Sequence, residues 1–123
     1  YGADRDNARI QIFDLNGRFI SLWQGQPIGR PYSVAVSDYD EVFIVDGGRA
    51  DKPLNRVVRL NAEGTVIESF DAGLADDERN LGHDIALGKD GALYAVDVLT
   101  HTVLKFISRH RPLHVVKPAK SNF

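Results

Sequence analysis

Two β-patterned runs end in aspartate at a fixed interval: Val42–Asp46 (VFIVD) and Leu93–Asp97 (LYAVD) lie 51 residues apart. At the same offset Pro31–Val36 (PYSVAV) falls on Gly82–Leu87 (GHDIAL), and the turn residues Asp40-Glu41 fall on Gly91-Ala92. A third run, Tyr1–Asp4 (YGAD), ends the same way, and after it Arg9–Phe13 (RIQIF) matches Arg56–Leu60 (RVVRL). Gly17 and Gly64 each follow those segments by four residues, and Trp23 and Phe70 come six further on. Phe106 lies nine residues past Asp97, as Phe13 lies nine past Asp4. A period of this length means one supersecondary unit used repeatedly, stacked so that neighbours bury each other's apolar faces.

Each unit reads as four short strands, a to d. The middle unit is complete, with strands at 32–37, 41–46, 56–61 and 65–70. The third has strands at 83–88, 92–97 and 102–107, and a fourth expected at 113–117 (LHVVK). The first unit holds b, c and d only. The strands are rich in Val, Ile, Leu, Phe and Tyr and are broken by Gly, Asp and Asn. No segment has the length and period of a helix. The expected class is all-β. Four-stranded repeats of roughly 40–50 residues mark a β-propeller, with a tandem sandwich as the competing architecture. The units span 1–24, 31–71 and 82–117, and residues 118–123 are expected to be a disordered tail. From Asp46 to Leu60 the middle unit advances 14 positions where the others advance nine, the excess lying in Gly47–Leu54. That segment reads either as a loop building a rim feature or as a tolerated surface insertion.

Bulk properties exclude several classes. At 123 residues, 43% hydrophobic and 26% charged, the chain has the make-up of one globular domain or part of one. Its net charge is −2 and its basic residues are scattered, which argues against a nucleic-acid surface. No apolar run is long enough to cross a membrane as a helix. Cysteine is absent, so thiol chemistry is excluded and the compartment stays open, a secreted or periplasmic one being compatible. Methionine is also absent, so Tyr1 is expected to have been exposed by processing or truncation, with any signal peptide upstream. The units make just under three blades, whereas propellers close with about four to eight. Two expectations follow: a piece of a six-bladed parent, or two copies joined three plus three into a ring as a homo-oligomer.

The recurring pattern of an apolar strand ending in Asp, then Asn/Arg-x-Ile/Val, then Phe-x-x-x-Gly, resembles NHL repeats; Ala3–Phe19 (ADRDNARIQIFDLNGRF) carries it fully. Three segments also resemble the second half of the six-bladed catalytic domain of the peptidyl-α-hydroxyglycine α-amidating lyases. They are Ala3–Phe13, Gly29–Ser37 and His83–Phe106, in the same order and at similar spacings. The resemblance implies a carbon–nitrogen lyase that splits C-terminal hydroxyglycine into a peptide amide and glyoxylate. It implies a catalytic zinc held by three histidines from different blades, with His83 as one ligand, and a structural calcium with Asp84 as a ligand. It places Arg5 near the substrate. The other zinc histidines and the family's active-site tyrosine would precede Tyr1, and Leu81 stands where the family has methionine. Tyr32 occupies the His83 position of the middle unit and is the candidate binding residue there.

Each candidate has a plainer reading beside the functional one. His83 is a zinc ligand or a channel-mouth imidazole hydrogen-bonded to its surroundings. Asp84 coordinates calcium or caps a turn. Arg5 clamps a peptide carboxylate, or serves structure by pairing with Asp6 or a neighbouring blade. Asp4, Asp46 and Asp97 recur once per unit and are expected to hold backbone N–H groups rather than to do chemistry. His101, His110 and His114 read as surface residues of the outer strands, and Asp76-Asp77-Glu78 as a solvated acidic run. Three functions follow: part of a lyase-like metalloenzyme, an NHL module binding a peptide or protein, or a self-assembling half-propeller without catalysis.

Overall fold

A computed structural model gives the fold and describes residues 1–72 and 82–108. They form ten strands and no helix. The first sheet comprises β1 (Gly2–Asp4), β2 (Arg9–Phe13) and β3 (Phe19–Gln24). The middle sheet comprises β4 (Pro31–Val36), β5 (Val42–Gly48), β6 (Pro53–Leu60) and β7 (Val66–Asp71). The third comprises β8 (Gly82–Leu87), β9 (Leu93–Asp97) and β10 (Thr102–Phe106). Every sheet is an antiparallel meander with its strands in chain order, and none closes on itself. The strands fall within a residue or two of the expected positions, except around the insertion. The expected strand 113–117, the tail 118–123, the acidic run 76–78, His110 and His114 lie outside the described residues.

One turn recurs four times. In Asp14–Arg18, Ser37–Glu41, Asn61–Thr65 and Gly88–Ala92 the first residue's N–H donates to the fifth residue's carbonyl, and the fourth residue's N–H donates to the first carbonyl. The fourth position is left-handed each time: Gly17, Gly64 and Gly91 at φ 77°, 82° and 77°, and Asp40 at 59°. Glycine takes that conformation without steric cost, and a short aspartate is among the few side chains that tolerate it. The first side chain tightens the loop: Asp14 Oδ1, Ser37 Oγ and Asn61 Oδ1 each accept two backbone N–H groups. The Asp/Asn/Ser–x–x–Gly spacing is therefore a hairpin with a bulge on its far side.

The three sheets stack face to face through β5. Val42 and Ile44 face the first sheet, in a core with Ile10, Ile28, Val58 and Leu60. Phe43 and Val45 face the third sheet, in a core with Val57, Ala72, Ile85 and Leu93. All four β5 side chains are fully buried. An unbroken apolar run such as VFIV is what a strand covered on both faces requires. Each such side chain contributes about 1.5–3 kcal/mol through burial. Among the described residues, the end sheets are covered on one face only. The first leaves Phe13, Phe19 and Leu22 exposed on its outer side, and the third leaves Val96 and its cross-strand partner Val103 exposed.

The insertion corrects an expectation. Gly47–Leu54 reads as a loop, yet β5 runs on to Gly48 and β6 begins at Pro53, with Gly48 paired to Pro53 past a register shift. Arg49 and Lys52 exchange backbone hydrogen bonds of 3.1 and 3.2 Å and close a tight turn over Ala50-Asp51. The extra residues lengthen a hairpin, because antiparallel pairing is cheaper than leaving this backbone unpaired.

Candidate functional site

At the insertion-bearing end of the stack, β1 and β9 end in their repeat aspartates, and Asp46 lies two residues before the end of β5. Asp46 is fully buried; its Oδ1 accepts the N–H groups of Gly29 (3.1 Å) and Gly48 (3.0 Å). Its Oδ2 takes Nε and Nη2 of Arg56 at 3.0 and 2.7 Å. The same Nη2 also reaches the Pro27 carbonyl. Asp4 is held by Arg9 Nε at 2.7 Å and by Asn7, which keep its carboxyl below the ordinary range. Asp97 Oδ1 accepts the N–H groups of Leu99 and Thr100, both at 2.9 Å. These carboxylates brace the connections between strands, as their once-per-unit recurrence suggested.

Beside them the first turn of each inner strand carries a bulge. Pro31 pairs with Asp46 and Ser33 with Val45; Gly82 pairs with Asp97 and Asp84 with Val96. Tyr32 and His83 are therefore the extra residues of two equivalent bulges. A bulged residue leaves the strict in–out alternation and can be aimed elsewhere. Here the two rings meet edge to face, with centroids 5.5 Å apart. The guanidinium carbon of Arg5, just past β1, sits 5.2 Å from the Tyr32 centroid, within cation–π range. Arg5, Tyr32 and His83 thus form a row with one member from each sheet.

Asp84 belongs to the same cluster. Its Oδ1 accepts Ser33 Oγ at 2.6 Å and its neighbour's N–H, from Ile85, at 2.8 Å. The Ser33 hydroxyl, followed by that N–H and the charge of His83, lowers the Asp84 pKa. Arg5 gives Nε to Asp6 Oδ1 at 3.0 Å. Tyr32 packs on the backbone of Gly47, where an added Cβ would lie 2.4 Å from a ring carbon. The insertion hairpin therefore buttresses the row, and only glycine fits at 47. His101 lies in the β9–β10 turn with φ 56° and takes no part.

The zinc and calcium implied for His83 and Asp84 find no ligand set here. The cluster offers one imidazole and one carboxylate, and Asp84 Oδ1 already carries two hydrogen bonds. Among the described residues no group of three or more His, Asp or Glu side chains is placed to hold a metal ion. A three-histidine or oxygen-rich cage needs more donors than this. The cluster brings a cation, a phenol and an imidazole side by side.

No family model matches the chain. Two curated proteins of Xenopus laevis do. Peptidyl-glycine alpha-amidating monooxygenase B is 29% identical over 109 residues, 85% of this chain and 12% of that protein. Peptidyl-glycine alpha-amidating monooxygenase A is 28% identical over 109 residues, 85% of this chain and 11% of that protein. The chain is distantly similar to the peptidylglycine alpha-amidating enzymes. It spans about one eighth of the length of the curated relatives it matches.

Sequence reasoning named His83-Asp84 as a pair, Tyr32 as the repeat equivalent of His83, and Arg5 apart from them. The geometry brings them together and adds Ser33 and Gly47. Ser33 had a signal, since it stands 51 residues before Asp84, the repeat interval itself. Among the described residues no helix is long and apolar enough to cross a membrane.

Proposed function

We propose that this chain is a segment of an NHL-type β-propeller that binds the carboxyl end of a peptide at the row of Arg5, Tyr32 and His83. In this reading it is the recognition part of a carbon–nitrogen lyase-like enzyme of peptide amidation. The observation that carries it is the row itself, one side chain from each of three sheets converging at one end. The propeller reading is supported by which residues touch. Tyr32 and His83, and likewise Ser33 and Asp84, are repeat-equivalent and yet in contact. Equivalent residues meet when units are related by rotation about an axis that runs beside their inner strands, as blades are.

Arg5 gives Nε to Asp6 and interacts with Tyr32, so a planar anion would be met by the guanidinium donors that remain. The Tyr32 ring holds the guanidinium in place. The Tyr32 hydroxyl and the His83 imidazole can hydrogen-bond the terminal residue's hydroxyl or amide. With one imidazole and one carboxylate, the chain by itself binds and does not cleave; cleavage needs groups from further blades. Titration of Ala-Ala-Gly and its C-terminal amide tests this. The free acid should bind at least about 10-fold more tightly, and Arg5→Gln should erase the difference. Equal binding of acid and amide by the unaltered chain overturns the reading.

A second reading, a binding scaffold or self-assembling half-propeller, is favoured by the apolar outer faces around Phe13, Phe19 and Leu22 and around Val96 and Val103. Those faces would pack on further blades, supplied by a second copy or by the rest of a longer protein. Sedimentation distinguishes them: assembly predicts twice the 13.6 kDa chain mass or more, and a monomer at high concentration removes the self-assembling version.

A further inference from the structure

The insertion hairpin does more than buttress Tyr32. With the β1–β2 turn of the first sheet it walls a cleft of about 520 Å³ lined by Asp6, Ala8, Arg30, Arg49, Ala50 and Asp51. Three of these six residues, Arg49, Ala50 and Asp51, come from the segment that the other units lack. The cleft adjoins the row through Asp6, which follows Arg5, and through Arg30, two residues before Tyr32.

Its formal charges, Arg30 and Arg49 against Asp6 and Asp51, sum to zero, but both aspartates are engaged by arginines other than Arg30. Arg49 is paired with Asp51 at 2.9 Å, and Asp6 with Arg5 at 3.0 Å. Arg30 gives Nε to the Gly48 carbonyl at 3.1 Å and Nη2 to the Gly47 carbonyl at 3.2 Å. It pairs with no carboxylate among the described residues, and it is half-buried. A half-buried guanidinium neutralised only by carbonyl dipoles is a site for an anion. The two bonds to the hairpin also fix the direction of its remaining donors. Asp6 and Asp51 flank the cleft and repel excess negative charge, so a monoanion suits it better than a dianion.

We propose that this cleft is a subsite for an acidic side chain of the bound peptide, held by Arg30. The inference rests on the peptide reading above and names what that site selects. A cleft of this size accommodates one or two residues of an extended chain. The terminal residue lies at the row, and the Glu or Asp lies a few residues upstream, under the hairpin.

Two arms test it separately from the reading on which it rests. In the first, Ala-rich hexapeptides ending in Gly carry a single Glu scanned through the four positions before the Gly, and each is titrated against its Gln counterpart. One position should favour Glu about 10-fold, the worth of a charge-assisted hydrogen bond. Arg30→Gln should remove that preference while leaving the Gln peptides bound. Asp51→Asn, an exposed change that frees Arg49 to face the cleft, should enlarge the preference about 3-fold. Peptides that bind with no Glu preference at any position overturn the subsite and leave the carboxyl-end reading intact. In the second arm, N-acetyl-glutamate amide is titrated while the backbone amides of Arg30, Gly47 and Gly48 are followed by NMR. Saturable shifts there, absent with N-acetyl-glutamine amide, support the subsite even if no peptide engages Arg5. No shifts, or tighter binding by inorganic phosphate than by the carboxylate, overturn it.

Discussion

The middle and third sheets share their meander, their left-handed turns, their repeat aspartate and the bulge at the start of the inner strand, yet they differ at four places. Where the middle sheet has Arg56 opposite Asp46, the third has Thr102 opposite Asp97. Where one bulge carries Tyr32-Ser33, the other carries His83-Asp84. Among the described residues, only the middle sheet has a lengthened hairpin and only it is covered on both faces. The shared features are those that any unit needs in order to fold and stack. The first three of these differences gather at one end, around Tyr32 and His83. Repetition within one chain thus separates what the architecture demands from what a single site adds.

The aspartates make the sharpest contrast. Asp46→Ala strips a buried carboxylate from Arg56 and from the N–H groups of Gly29 and Gly48. Removing one partner of a buried pair costs about 3–5 kcal/mol, because the other charge stays behind. Asp97→Ala removes the bonds to the backbone N–H groups of Leu99 and Thr100, which costs about 1–3 kcal/mol. Urea unfolding of both variants measures the gap. Equal losses would mean that the two clamps do the same work and that Arg56 is incidental.

Burial on two faces against one gives the next comparison. Phe43→Ala opens a cavity in the core between the middle and third sheets and should cost about 3–5 kcal/mol. Val103→Ala, on the outer side of the third sheet at 65% exposure, should change stability by no more than about 0.5 kcal/mol if solvent covers that face. A loss above about 1 kcal/mol that grows with protein concentration would mean that another copy covers it.

Gly47→Ala strikes at the asymmetry between the two bulges. The new methyl would overlap the Tyr32 ring, so either the ring or the hairpin must move. Such overpacking costs about 1–3 kcal/mol. The ring contact with Arg5 should loosen with it, so the preference for a free carboxyl end should fall along with stability. Stability lost with that preference untouched would detach the hairpin from the site.

The strands and turns were legible in the sequence because their causes are local. VFIV without alternation announces a strand buried twice over, and Asn61 to Gly64 announces a bulged hairpin. The insertion misled, since Gly47-Gly48 reads as loop, while the neighbouring Asp46–Arg56 pairing was already carrying the hairpin past it. The site was legible only in pieces. A bulge depends on which partner each residue meets, so nothing within Pro31-Tyr32-Ser33 reveals that Tyr32 leaves the alternation. The contact of Arg5 with Tyr32 joins different sheets and depends on how the units stack. The metal ligands implied by the family resemblance met the same limit: a motif supplies His83 and Asp84, but a cage depends on what other strands bring to them.

The smallest effect concerns Ser33 and Asp84, the pair that shows whether the inner strands communicate. A carboxyl whose folded pKa lies below its ordinary value of 3.8 stabilises the fold above that value, and the contribution is lost as pH falls through the folded pKa. The Ser33 hydroxyl is the largest cause of the lowering, so Ser33→Ala should move the Asp84 pKa back upward, as followed by carboxyl NMR. The stability difference between the variant and the parent should be full at pH 6 and shrink as pH drops below about 3.8. The Ile85 N–H bond survives the substitution, so the return should be partial. An Asp84 titration indifferent to Ser33 would mean that the 2.6 Å contact does not persist in solution. The middle and third sheets would then meet through their apolar cores and the Gly82 N–H bond to Asn55 Oδ1, and the Tyr32–His83 contact would have to be held by the bulges without help from the Ser33–Asp84 pair.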